Sequence, residues 1–566
     1  MGIASIESMS NRRSAAVVFT SLAVLALGTT FSTSVGAVSR DSAPQAVAIH
    51  NSPLSSGTPL TTFSNPPTLT VSTLGSSLTP ATFPPGGSVD TRTPGAVRAT
   101  HMATRPESGV RSQSVAVTHP SVKRRISPVG QFSPRAANGY IAPPDPNMAT
   151  NGTDIGFAYN SSAGMEFYFT DMSGNQVYAP APYCTSSGGG QTFYNCSDPT
   201  LLYDGQANKW LFSYLAYNAY LNGRFMEGAS IVVAASKHSD PSLGFWNPVL
   251  VGTVTDGCLD QPRLAFTTDM VVVTANYWNW ASTNSCDTVN YNNTGDDVVA
   301  INKTQLYAGA IPDRVMNRFT NMSLQPTPTP SYEGTILWES PDWATGSHHG
   351  VQAFITGPES DVNFQWFTLP VTSYNMSPAF YASQPNTSVE LDLDDGRFTS
   401  AAFSGNTAWA VANQPCTNNQ FCPFFYIVNV DASGKPTTYV NSFNLQNSSG
   451  WNMYYVAIAT TIGSSSVIGV LDYTYVSGGI DPSSEGFQIS TAGSYAASGS
   501  EVGTTTIPVD DGNGHARYGD YSGCDYVAGT YVAGVSPAQV ACVGQFAQNN
   551  PGSFNQALEE YTNKFS

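Results

Sequence analysis

Four aspartates, Asp145, Asp198, Asp260 and Asp520, stand in short polar clusters beside apolar runs, a position from which a carboxyl group can do chemistry. Glycoside hydrolysis uses two carboxyl groups across the scissile bond, one donating a proton and the other attacking or activating water. Such aspartates are therefore candidate catalytic acids and bases. Asp-Pro and Gly-Asp pairs also form turns in which the carboxylate accepts backbone N–H bonds, so a structural role stands beside the catalytic one. Three of the six arginines after residue 135, Arg263, Arg397 and Arg517, occupy similar clusters. Guanidinium groups gathered in one pocket would hold a carboxylate through charge-assisted, often bidentate bonds. The alternative is that each pairs with a nearby acid, Asp260, Asp395 or Asp520. His349 and Tyr521 complete the binding candidates; His348 and His349 are adjacent, so on a strand they point to opposite faces.

Two further groups carry weaker signals. The run Asp392-Leu393-Asp394-Asp395-Gly396 offers hard oxygen ligands and a turn, as calcium prefers, without the spacing of an EF-hand loop. Calcium is the one cofactor this suggests. Tyr277, Trp278, Trp280, Tyr291, Trp338 and Trp343 offer faces for sugar rings or for core packing. Walker, dinucleotide-binding, zincin and c-type haem motifs are absent, which argues against those enzyme classes.

The elements that must position these residues are short. From about Ala136, runs rich in Val, Ile, Tyr, Phe and Trp alternate with Gly, Asn, Asp and Ser clusters, as at Ser230–Ala235, Met270–Tyr277 and Phe424–Val430. That texture predicts an all-β chain. One short helix is expected, at Phe554–Phe565. Polar clusters recur at Asp145, Asp198, Asp260, His348, Gly396, Trp451 and Arg517, mostly fifty to seventy residues apart, with an insertion at Gln325–Pro330 explaining the long third interval. Units of this size hold about four strands and fit propeller blades. Seven starts predict a seven-bladed β-propeller over 136–550, with six blades as the alternative.

The segments Pro143-Pro144-Asp145-Pro146-Asn147, Ser197-Asp198-Pro199-Thr200, Ser239-Asp240-Pro241, Asp260-Gln261-Pro262-Arg263-Leu264 and Arg517-Tyr518-Gly519-Asp520-Tyr521 together resemble exported bacterial β-propeller proteins of sialidase-like architecture. The resemblance implies the fold and leaves the chemistry largely undefined. The repeat typical of sialidases is present only in altered form, at Ser239–Trp246, with its aspartate and glycine displaced.

The rest of the sequence indicates the compartment. Arg12 and Arg13, an apolar stretch from Ala15 to Phe31 and Val35-Gly36-Ala37 have the three-part pattern of a signal peptide over 1–37. Residues 38–135, rich in Ser, Thr and Pro, read as a disordered stalk or pro-segment, and 551–566 as a C-terminal tail. Lys123-Arg124-Arg125 is either a processing site or a solvated charge run. The eight cysteines form local couples, Cys184 with Cys196, Cys258 with Cys286, Cys416 with Cys422 and Cys524 with Cys542, which predicts four disulfides. Residues 136–566 hold 11 basic and 35 acidic side chains, a formal charge of −24, which disfavours nucleic acid as a partner. The expected protein is secreted or at the cell surface, directed at an extracellular glycan or surface polymer, with no transmembrane segment after signal cleavage. It would be a glycoside hydrolase or a lectin-like binder; the alternative is an adhesive or structural propeller.

Overall fold

The computed structural model describes most of residues 145–548 together with 47–51, 61–62, 70–72, 127–136 and 555–564. Connecting segments stand outside the described residues, the longest being 281–288, 340–349, 369–380, 504–514 and 528–538. The chain folds as a β-propeller. Six antiparallel sheets are each built from four strands consecutive in sequence; a seventh takes three consecutive strands and is completed by Ser127–Ala136 from the N-terminal side. Numbered along the chain, blades 1 to 7 have as innermost strands Asn147–Thr150, Asn195–Asp204, Gly257–Phe266, Leu324–Pro326, Phe398–Ser404, Trp451–Thr460 and Gly523–Val527. Each innermost strand packs beside the next, and that of blade 7 returns to blade 1.

Strand alternation explains the closure. Successive side chains of a strand point to opposite faces, and here both faces are covered by neighbouring blades. In the second strand of blade 3, Val271, Val273 and Ala275 enter the wedge shared with blade 2, whereas Met270 and Val272 enter the wedge shared with blade 4. In blade 5, Trp409 and Val411 face blade 6, and Ala408, Ala410 and Ala412 face blade 4. Middle strands therefore read as continuous apolar runs, the pattern of strands buried on both faces. Seven such apolar wedges lie between successive blades.

Polar latches fasten the wedges. Lys303, in the one described α-helix (Lys303–Tyr307), reaches Asp204 of blade 2 at 2.6 Å, and the same carboxylate accepts from the Tyr307 hydroxyl at 2.9 Å. At the closure, Thr150 N–H of blade 1 donates to Asp525 of blade 7 at 2.9 Å. In blade 7, Cys524 and Cys542 lie directly opposite one another and are disulfide-bonded. Cys196, Cys258 and Cys422 are also disulfide-bonded, while Cys184, Cys286 and Cys416 lie outside the described residues.

Several expectations need correction. Gln325–Pro330 is not an insertion: Leu324–Pro326 is the innermost strand of blade 4. Proline is tolerated there because the innermost strand of a blade is a sheet edge, where a missing N–H breaks no ladder. His348 and His349 consequently do not open a blade; they precede its third strand, Gly350–Thr356. The helix expected at Phe554–Phe565 is instead a strand, Asn555–Lys564, paired on both sides, so long-range pairing overrides local preference. The propeller thus draws two strands from outside 136–550. Within the segment expected as a stalk, Val47–Asn51, Thr61–Thr62 and Thr70–Ser72 pair with the outermost strands of blades 5, 4 and 3. Residues 1–46, with the expected signal peptide, lie outside the described residues. Among the described residues, no helix is long and apolar enough to cross a membrane.

Gly523 marks the tightest contact at the closure: a Cβ there would stand 2.6 Å from the Met148 backbone nitrogen. Gly523→Ala is expected to lower stability by about 1–3 kcal/mol, the usual cost of overpacking a filled site. Thermal or urea unfolding measures it.

Candidate functional site

Three innermost strands, in blades 1 to 3, bring a set of polar side chains to one end of the ring. Each begins with, or is preceded by, a residue in the left-handed region: Asp145 (φ 44°), Asp198 (φ 54°) and Gln261 (φ 47°), with Tyr455 (φ 45°) at the like position in blade 6. The strand pairing slips at the same places, between Ser197 and Thr200, Asp260 and Arg263, and Tyr454 and Ala457. These are bulges, which re-aim side chains near binding sites. A non-glycine residue held at positive φ costs on the order of 1–3 kcal/mol, so the surrounding contacts must fix it in place.

The contacts that fix them form one chain of hydrogen bonds from blade 1 to blade 4. Asn160 Nδ2 donates to Asp145 Oδ2 at 3.0 Å and reaches Asp198 Oδ1 at 3.4 Å, while Asn160 Oδ1 accepts from Asp198 N–H at 2.9 Å. One amide therefore holds two carboxylates of adjoining blades. Asp198 Oδ2 accepts from Gln261 N–H at 3.2 Å, Gln261 Oε1 from Asn276 Nδ2 at 3.4 Å, and Asn276 Oδ1 from Ser323 Oγ at 2.7 Å. Leu324 N–H then donates to Asp296 Oδ2 at 2.6 Å. Asp145, Asn160, Asp198, Gln261, Asn276 and Asp296 are all buried.

Asp260, Asn276 and Asp296 are cross-strand partners on three consecutive strands of blade 3, so their side chains share the face toward blade 4. Burial pushes the Asp296 carboxyl well above the usual carboxylate range and the Asp297 charge adds to this; the Leu324 N–H bond and the Arg263 charge oppose it. Asp296 is thereby held as a neutral acid, and its Oδ1 has no hydrogen-bond partner. On the opposite face, Arg318 grips Asp297 through two bonds of 2.6 and 2.9 Å and lies 3.4 Å above the Tyr277 ring. The arrangement provides acceptor carboxylates, a neutral carboxyl and a nearby cation, the components of acid–base catalysis.

The structure thus joins Asp145 and Asp198, and sets Asp260 and Arg263 on the neighbouring innermost strand. Arg397 is buried immediately before the innermost strand of blade 5. Arg517 lies in the short strand His515–Arg517, paired with Asp392. Asp520, Tyr521 and His349 lie outside the described residues, as do Asp394, Asp395 and Trp343. Of the aromatics, Trp338 is buried with its Nε1 bonded to Thr327 at 2.7 Å, and Tyr277 and Trp278 are also buried. The altered sialidase repeat forms the turn between the third and fourth strands of blade 2, where Asp240 caps Pro241–Leu243.

Sequence reasoning missed Asn160, Gln261, Asn276, Asp296, Asp297 and Arg318. Their signal was faint: an Asn near the end of the second strand in both blade 1 and blade 3, and an Asp pair opening a Val-Val run.

No family model and no curated protein matches the chain. Among solved structures it is similar to a Hadza microbial sialidase, Hz136, at 13% identity over 62% of this chain and 69% of that one, with a TM-score of 0.35. It is also similar to the α-L-arabinanase of Penicillium chrysogenum (9% identity, 78% and 99% covered, TM-score 0.35) and the GH93 α-L-arabinofuranosidase of Fusarium graminearum (9%, 78% and 97%, 0.34). The fold stands on the strand order itself.

Two outcomes test this site. A carboxyl raised in the folded state keeps its proton while the unfolded chain releases it, so its contribution to stability falls as pH rises above the ordinary carboxylate range. Asp296→Asn should therefore gain melting temperature relative to the wild type at pH 7 and little at pH 4, read by thermal unfolding at both. Asn160→Leu should cost about 2–3 kcal/mol, because two buried carboxylates lose a shared donor, as urea unfolding would show.

Proposed function

We propose that this protein is a secreted, glycan-directed β-propeller whose chemistry lies at the mouth over blades 1 to 3, and that it acts as a glycoside hydrolase. The observation that carries this reading is the pair Asp145 and Asp198, on adjoining blades and held by the single amide of Asn160. Hydrolysis of a glycosidic bond needs one carboxyl group to protonate the leaving oxygen and another to attack or activate water. Asp145 and Asp198 are suited to the second role. Asp296, kept neutral by burial, has the protonation state of the first. Asp260 and Arg263 border the same site; Arg397, Arg517, His349, Tyr521 and Asp520 are proposed to complete its binding wall.

Burial and shared bonds give these carboxylates a structural role as well, and the test must separate the two. Purified Asp145→Asn and Asp198→Asn should each reduce polysaccharide hydrolysis by about 100-fold or more, the usual range for loss of an acid or base. Each should still bind glycan on an array. Unchanged hydrolysis by both would reject the catalytic assignment. Absence of hydrolysis by the wild type, with array binding retained, would leave a lectin-like binder.

Secretion is supported by the signal-like residues 1–37 and by the disulfide in blade 7. The −24 charge of residues 136–566 favours a neutral or cationic partner over nucleic acid.

A further inference from the structure

A small sheet outside the blades joins two distant linkers. Glu390–Asp392, in the linker from blade 4 to blade 5, pairs with Tyr381–Ala382 of the same linker and, in parallel, with His515–Arg517 of the linker from blade 6 to blade 7. The first linker enters the innermost strand of blade 5 and the second enters that of blade 7. Blade 6 lies between them, so strands that pair across this gap must pass over the start of its innermost strand. The contacts agree. Ala382, Leu391 and Leu393 form one buried cluster with Tyr454 and Tyr455 of blade 6, and the Tyr455 hydroxyl donates to the Asp392 carbonyl at 2.9 Å. Tyr455 is itself the left-handed residue of blade 6, the counterpart of Asp145, Asp198 and Gln261. Where those positions carry the polar chain, blade 6 carries a roof support. The other small sheet described, Ser187–Gly188 with Gln191–Thr192, is a hairpin within one linker and bridges no two blades.

We propose that this roof makes the site take the end of a glycan chain rather than its middle, an inference that rests on the glycan reading above. A chain lying across the mouth must leave on both sides if it is bound in its interior. With the sector over blade 6 occupied, a chain held by the carboxylates of blades 1 to 3 has one way out, and its terminal residue stops against the roof. The specificity is steric and belongs to the fold; it needs no contact with a particular sugar.

The test is a glycan array of matched pairs, each oligosaccharide shown once with its terminal residue free and once with that end capped by a further sugar, probed with the full-length protein. The free-ended member of a bound pair should be favoured by about tenfold, equivalent to about 1.4 kcal/mol. Equal binding to both members overturns the proposal while leaving the glycan reading intact. Binding to neither, across the array, overturns the glycan reading and the proposal with it. Replacing Tyr381–Asp392 by a Gly/Ser linker should abolish the preference. Tyr455→Phe, which keeps the ring and removes one hydrogen bond, should weaken it by up to about fivefold, the worth of one neutral hydrogen bond, so the outcome stays decidable if the larger replacement fails to fold. A preference unchanged in folded forms of both variants overturns the roof as its cause.

Discussion

The left-handed backbone at Asp145, Asp198 and Gln261 is the constraint on which the site depends. An innermost strand with regular alternation would send these side chains into an apolar wedge or out along the channel. A single residue at positive φ breaks the alternation and turns the carboxylates across the junction between blades, where the neighbouring blade's N–H groups meet them. The conformation is costly for residues with a Cβ. It persists because Asn160 and the backbone amides of Asp198 and Gln261 bond to the groups it presents.

The same positions carry strength and chemistry together. Away from the mouth the blades meet through apolar wedges, which are favourable in proportion to the area they remove from water. Near it they meet through buried amides and carboxylates, which are favourable only when every group is bonded. Asn160 and Asn276 do this work from the second strands of blades 1 and 3, each reaching forward to the next blade. The asymmetry between Asp296, held neutral by burial, and turn aspartates such as Asp240, held ionised by bonds from Ser242, follows from the same rule. A carboxyl buried faster than it is bonded keeps its proton; one that is bonded and exposed loses it readily.

The ring also departs from sevenfold regularity in a directed way. Blades 1 to 3 present carboxylates and amides, whereas blade 6 presents Tyr454 and Tyr455 beneath an added sheet. Equivalent backbone positions thus do different jobs according to the side chain that occupies them. A propeller permits this because each blade is fixed by its two wedges, and the residues at its mouth are free to vary without loss of closure.

By itself, the sequence determined the all-β texture, the blade-length spacing and most of the innermost strands, because short apolar runs between turn residues admit few other arrangements. Asp145 and Asp198 were legible as candidates since each stands in an Asp-Pro cluster beside such a run. Only the tertiary structure decided the rest. Pro326 read as a strand breaker until its strand proved to be an edge, and that one error moved the start of blade 4 from His348 to Leu324. Residues 555–564 carried a helical preference that pairing with Gln539–Gln548 and Ser127–Ala136 overrode. Asn160, Asn276 and Asp296 gave no motif, because an asparagine or aspartate within a strand gains its role from the strand beside it, and that neighbour is set by ring closure over hundreds of residues rather than by local spacing.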